Sequence, residues 1–107
     1  MRFLVIAFAL SLTGAVSAAD LEAGKKKAAE VCAACHGPDG NKPSAPDQPI
    51  LAGQHQDYLE RALTDYKIGR RNNPIMKGFA GQLSKKDIEN LAAWFASQKS
   101  QLHDQRQ

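Results

Sequence analysis

Apolar residues recur at helical spacing in three stretches of this chain. The first extends from about 21 to 34, the second from about 56 to 68, and the third begins after Ser84. In the second stretch, Leu59 and Leu63 fall on one face of a helix, with charged residues on the other. No stretch has the strict apolar–polar alternation of a half-buried strand. The pattern therefore predicts an all-α fold with three main helices.

Polar residues at the ends of these stretches supply start and stop signals. Asp57, with Glu60 three residues later, predicts a capping box for the second helix, and Gly69 suits its C-terminal end. Ser84, with Asp87 three residues later, predicts a capping box for the third helix. These signals place both helices more sharply than the apolar pattern alone.

The remaining segments predict long irregular loops. Residues 37–49 contain four prolines and two glycines, which exclude a helix and a central strand. Residues 69–82 hold several glycines and asparagines, and we expect another long loop there. The polar tail from Gln98 is expected to fray.

The first 19 residues have the composition of a leader. Met1 and Arg2 give a positive start, an apolar run begins at Phe3, and small residues precede Asp20. The apolar run, about 14 residues, is shorter than the ~20 that span a bilayer, which disfavours the alternative of an uncleaved anchor. We therefore predict a signal peptide over 1–19, cleaved after Ala18 or Ala19, and one domain over 20–107.

The net charge of the chain argues against two classes of binding partner. The formal net charge is +3, and one of the positive charges belongs to the predicted leader. An excess this slight argues against a nucleic-acid-binding or anionic-membrane-binding protein.

The sequence Cys32-Ala33-Ala34-Cys35-His36 is C-x-x-C-H, the attachment motif for a c-type haem. Residues i and i+3 on a helical turn point to the same side, so both thiols can reach the two vinyl groups of one porphyrin. His36 then lies near the iron and can donate a ring nitrogen as an axial ligand. The motif predicts one covalently bound haem c.

A cysteine pair has uses other than the attachment of haem. A redox dithiol or disulfide is possible in an exported chain. However, a reactive dithiol usually starts a helix, where the dipole lowers the cysteine pKa, whereas this pair lies in the last turn of the first predicted helix. A zinc site needs about four ligands, and only the separated His55 and His103 remain to complete it.

The sixth position on the iron has two candidates. Met76 is the one methionine outside the leader and lies in the predicted loop 69–82. Methionine sulfur is an established axial ligand of c-type haem. His55 is the competing candidate, and an ordinary buried filler is the alternative role for Met76. The residue types favour Met76 without excluding His55.

The chain resembles the class I c-type cytochromes, of the small single-haem bacterial cytochrome c-553 kind, and one half of the related two-haem proteins. The resemblance covers nearly all of residues 20–97. Besides the haem motif followed by Gly37, it rests on segments in the family's order: 24–28 (GKKKA), 49–54 (PILAGQ) with 58–59, 71–76 (RNNPIM), and 83–84 with 91–95 (LAAWF).

The resemblance implies specific roles for several residues. Met76 would be the axial sulfur ligand opposite His36. The carbonyl of Pro49, or alternatively that of Pro46, would accept the Nδ1–H of His36 and orient the ring. Gly24 would lie where the first and last helices cross, packed against Leu91 and Trp94.

The function implied is that of a soluble, periplasmic, monomeric one-electron carrier that is not an enzyme. Four basic residues flank Met76, and they predict a surface for transient docking of acidic redox proteins unless they form an ordinary solvated face: Lys67, Arg70, Arg71 and Lys77. Three alternatives stay open: a cytochrome subunit of a larger oxidoreductase, a haem sensor with an open iron position, and a thiol–disulfide oxidoreductase.

Overall fold

The computed structural model describes residues 4–7, 9 and 18–101. Within these residues the secondary structure is entirely helical, which confirms the predicted all-α class. The helices are α1 (Leu21–Val31), α2 (Ala33–His36), α3 (Gln56–Ile68), α4 (Pro74–Ala80) and α5 (Lys85–Ser97). Most of the predicted leader, residues 1–3, 8 and 10–17, lies outside the described residues. In the described part, every helix is too short or too polar to cross a membrane.

The first predicted helix is interrupted at Cys32. Asp20 caps α1 through a hydrogen bond from the amide of Ala23 to its side chain. Cys32 has φ −113° and ψ −34°, so the regular helix ends at Val31 and a separate turn, α2, follows. The Cys32 carbonyl then accepts the amide of His36 at 3.0 Å, which winds α2 tightly. The prediction of one continuous helix to residue 34 was therefore wrong, because the helix is broken at Cys32.

The predicted cap of α3 was also wrong. The N-cap is His55, whose side chain makes no capping hydrogen bond, because the helix already begins at Gln56. Asp57 therefore lies inside the first turn, and its carboxylate accepts the amide of Tyr58 instead. The C-terminal end is as predicted, with Gly69 in the left-handed region at φ +83°.

A short helix, α4, lies inside the segment that was expected to be a long loop. Asn73 is its N-cap and Pro74 occupies its first turn. Asparagine at the N-cap followed by proline at N1 is a favoured helix start, so the sequence did contain this signal. The three glycines of residues 69–82 and the shortness of the apolar pattern favoured a loop over this helix.

The predicted capping box of α5 is present in both directions. The amide of Asp87 donates to the Ser84 hydroxyl and the amide of Ser84 donates to the Asp87 carboxylate, each at 3.0 Å. The helix therefore begins where the sequence placed it. Its apolar face packs against α1 and α3 and forms half of the core, which comprises Ala28, Leu59, Ala80, Leu83, Ile88, Leu91, Ala92 and Phe95.

Residues 98–101 are held to the body, contrary to the expected fraying. The buried side chain of Asn41 donates to the carbonyl of Lys99 at 2.9 Å and accepts the amide of Gln101 at 2.8 Å. The residues from 102 onwards lie outside the described part.

α1 and α5 cross in close contact at Gly24, as the resemblance implied. A Cβ at this position would lie 2.1 Å from the carbonyl oxygen of Asn90 and 3.0 Å from the Cβ of Trp94. Any side chain would therefore force α1 and α5 apart.

We predict that Gly24→Ala lowers the free energy of unfolding by about 3 kcal/mol, because the clash is with backbone rather than with a flexible side chain. Denaturant titration of the purified protein measures this. Gly78→Ala is the control, since a Cβ on Gly78 meets nothing within 4 Å. It should leave stability unchanged or raise it by up to about 1 kcal/mol. Equal losses for both variants would contradict the packing argument.

Because of the α5 capping box, the free energy of unfolding should fall as the pH becomes acidic. The amide of Ser84, above all, holds the pKa of Asp87 below its usual value. The folded state thus favours the carboxylate, and its contribution is complete above the ordinary aspartate pKa and lost as pH falls through the lower folded value. Asp87→Asn should cost about 1 kcal/mol at neutral pH and progressively less below about pH 4. A loss that stays constant down to the lowest pH would refute the assignment.

Candidate cofactor site

A largely apolar cavity of about 410 Å³ lies between α2, α3, α4 and the loop around Pro49. Leu59 and Leu63 of α3, Phe79 of α4 and Phe95 of α5 contribute apolar walls. Cys32, Cys35, His36 and Met76 also line it. The tertiary structure thus brings residues from two segments some forty positions apart to one enclosed space.

The two cysteines are half-buried on the cavity wall as free thiols. Burial, and secondarily the neighbouring Cys35, raises the pKa of the Cys32 thiol to about 11. Cys32 is therefore protonated at neutral pH, whereas a redox dithiol needs a cysteine with a lowered pKa. The raised pKa of Cys32 therefore disfavours thiol–disulfide exchange.

His36 is only 6% exposed, and its ring is oriented by the backbone. Its Nδ1 lies 2.9 Å from the carbonyl oxygen of Pro49. Because a carbonyl can only accept a hydrogen bond, Nδ1 must carry the proton, and Nε2 keeps its lone pair in the neutral ring. Such a pairing is typical of metal-binding histidines. Pro46, the alternative acceptor, is exposed and makes no such contact with His36.

The two candidates for a second axial ligand lie in different places. Met76 is in the first turn of α4, half-buried, on the wall of the cavity. His55 is exposed at the start of α3 and does not line the cavity. The position of Met76 on the cavity wall therefore favours it over His55, in agreement with the argument from residue type.

A zinc site finds no support in the described residues. Within them, no group of three or more histidine, cysteine, aspartate or glutamate side chains could hold a metal ion. His103 lies outside the described residues.

Two features of the site were not predicted from the sequence. Asn73 caps the helix that carries Met76, and the Asn-Pro pair was the available signal. The guanidinium of Arg71 lies 4.6 Å from the ring centroid of Tyr66, and both residues line the cavity. This contact depends on how the chain turns after α3, for which the sequence has no separate signal.

The residues present fit a covalently bound haem. Two thiols at i and i+3, an imidazole with an available nitrogen, and a thioether sulfur all face an apolar cavity. A porphyrin is flat and mainly apolar, with two vinyl groups that thiols can add to and an iron that takes nitrogen and sulfur ligands. Fold and site together define a small all-helical haem-binding domain.

Comparison with known proteins agrees with this class. Residues 21–99 match the protein family described as cytochrome c. The chain is 52% identical over 91 residues to cytochrome c4 of Pseudomonas aeruginosa, covering 84% of this chain and 44% of that protein. It is 35% identical over 72 residues to the cytochrome subunit of sulfide dehydrogenase of Chlorobaculum tepidum, covering 67% and 64%.

A solved structure gives the same result. The crystal structure of reduced recombinant cytochrome c4 from Pseudomonas stutzeri matches with a TM-score of 0.70 and 46% identity, covering 78% of this chain and 47% of that one. The chain spans about half the length of the cytochrome c4 relatives it matches. The protein belongs to the cytochrome c family, whose members carry covalently bound haem c.

Proposed function

We propose that this protein is a one-electron carrier whose haem c is attached to Cys32 and Cys35 and ligated by His36 and Met76. The observation that supports it most directly is that these four side chains line one apolar cavity. We further propose that residues 1–19 are an export signal, that 20–107 form a single-haem domain, and that the mature protein acts in the periplasm.

The haem, when bound, supplies an iron that alternates between the ferrous and ferric states. The chain itself orients the ligand side chains and surrounds them with apolar walls. The Pro49 carbonyl fixes the ring of His36 with Nε2 available as the ligand. Sulfur from Met76 and the apolar walls both favour the ferrous state, so the reduction potential is expected to be raised.

Ligation by both His36 and Met76 leaves no iron position for a substrate. Under this proposal the protein is not an enzyme, and the haem held by these residues would exchange single electrons with another redox centre. This distinguishes it from a sensor or oxygen-binding protein with an open iron position.

Two of the four basic residues that flank Met76 in the sequence also make contacts within the fold. The ammonium of Lys67 donates to the carbonyl of Leu83, and Arg71 packs over Tyr66. Arg70, Arg71 and Lys77 are exposed, and Lys67 is half-buried. We propose that the three exposed residues are the main electrostatic attraction for acidic redox partners in transient complexes.

Service as a cytochrome subunit of a larger oxidoreductase is the second candidate. One observation favours it: a similar protein is named as the cytochrome subunit of sulfide dehydrogenase. Gel filtration of the native protein from its own cells separates the two. A monomeric haem fraction supports the free carrier, whereas co-elution of all haem with an oxidoreductase supports the subunit.

We expect the reduced protein to show the spectrum and pyridine haemochrome of a thioether-linked haem. Met76→Ala should abolish the red absorption band of a ferric methionine–iron bond and lower the reduction potential, because the sulfur ligand is lost. Asn72→Ala is the control, since Asn72 is an exposed neighbour in the chain that does not line the cavity. A band that survives Met76→Ala would exclude this ligand and return attention to His55.

Arg70 and Lys77, two of the three exposed basic residues near Met76, should steer anions. We expect Arg70→Gln with Lys77→Gln to slow the oxidation of the ferrous protein by hexacyanoferrate(III) several-fold at low salt, with the difference vanishing above about 0.5 M salt. Lys25→Gln with Lys26→Gln makes the same charge change on α1, which packs on α5, and should have a smaller effect. Equal effects of the two pairs would mean that net charge alone is responsible.

A further inference from the structure

The helix that carries Met76 has little to hold it in place. α4 spans seven residues, and Ala80 is its one buried residue. Helices shorter than about 12 residues are marginal by themselves in water. Its neighbour is α3, and Ile75 and Phe79 on α4 are 70% and 42% exposed. The geometry of α4 therefore depends on how its ends are fixed.

The N-terminal end is fixed by the side chain of Asn73. Its Oδ1 accepts the amide of Ile75 and the amide of Met76, each at 3.1 Å. Its carbonyl accepts the amide of Lys77 at 2.9 Å, and Pro74 occupies the first helical position. The backbone of Met76 is thus hydrogen-bonded directly to the Asn73 side chain.

The far end of the segment is held by a separate contact. Lys67 of α3 donates to the carbonyl of Leu83, just after α4, and Leu83 is buried in the core. This contact anchors the connection from α4 to α5. It lies seven residues from Met76 and cannot set the direction of that side chain, which leaves the first turn of α4 to Asn73.

We propose that Asn73 is a positioning residue for the axial sulfur: by capping α4 it directs Met76 into the cavity and keeps the sulfur on the iron. This inference rests on the proposed ligation by Met76. Asn73 also lines the cavity, but the role inferred here is the capping of α4 and not a part in electron transfer.

Loss of the cap should change ligand exchange rather than the fold. Replacing an N-cap asparagine with alanine typically shifts a helix equilibrium about fivefold. An external ligand such as imidazole can bind the ferric iron only when the sulfur is off. Its apparent affinity is therefore proportional to the open fraction while that fraction is small. Asn73→Ala should raise imidazole affinity about fivefold and weaken the methionine–iron absorption band.

The experiment is a spectrophotometric imidazole titration of ferric holoprotein. Asn73→Ser keeps an effective cap and should match the wild type, whereas Asn73→Thr should lie between serine and alanine. Asn72→Ala is the control, because Asn72 is an exposed neighbour outside the cap. If Asn73→Ala accumulates poorly, the order of serine and threonine decides the matter. Wild-type affinity in the alanine variant, or equal shifts for alanine and serine, would overturn the proposal.

The Met76→Ala background separates this inference from the proposed ligation. With the sulfur removed, imidazole should bind tightly, and adding Asn73→Ala should change its affinity no further. If Met76→Ala alone leaves imidazole affinity unchanged, the ligation itself is wrong. If Met76→Ala behaves as expected but Asn73→Ala has the same effect with and without Met76, the asparagine acts on cavity access and the positioning role is wrong.

Discussion

The contact on which the rest of the structure depends is the crossing of α1 and α5 at Gly24. Without a side chain there, the backbone of α1 approaches the Asn90 carbonyl closely enough that even a Cβ would be 2.1 Å away. Asn90 also uses its buried side chain to accept the amide of Asp20 at 2.8 Å, which fixes the start of α1. Because α1 runs directly into Cys32, this crossing fixes the position of the cysteines relative to the core.

The loop after α2 closes the site from the other side. The pairing of His36 with the Pro49 carbonyl joins its two ends across thirteen positions. Gly40 lies against α5, with a would-be Cβ 2.8 Å from the ring of Phe95, and its φ of +81° suits glycine alone. Phe95 is also a cavity wall. This proline-rich loop is thus ordered by tertiary contacts rather than by secondary structure.

The wall that carries Met76 is built differently from the wall that carries His36. His36 is 6% exposed and hydrogen-bonded through its ring, whereas Met76 lies on a short surface helix held through its ends. Local openings are expected to be easiest where few apolar contacts are buried. Under the proposed ligation, the side chain of His36 would be the fixed ligand and the thioether of Met76 the exchangeable one.

The sequence by itself determined the helical class, the Ser84 start of α5, the Gly69 end of α3 and the C-x-x-C-H motif. All of these are local, because caps, breakers and i,i+3 spacing act within one or two turns. Only the tertiary structure decided the break at Cys32, the anchoring of residues 98–101 by Asn41, and the contacts of Lys67 and Arg71, whereas the helix at Pro74–Ala80 had a local signal in Asn73 and Pro74. The contacts of Asn41 and Lys67 join groups 16 to 60 positions apart, and the start of α3 depends on competition between two helix starts, at His55 and at Asp57. A chain read residue by residue cannot rank such alternatives, because packing decides which of them lowers the free energy most.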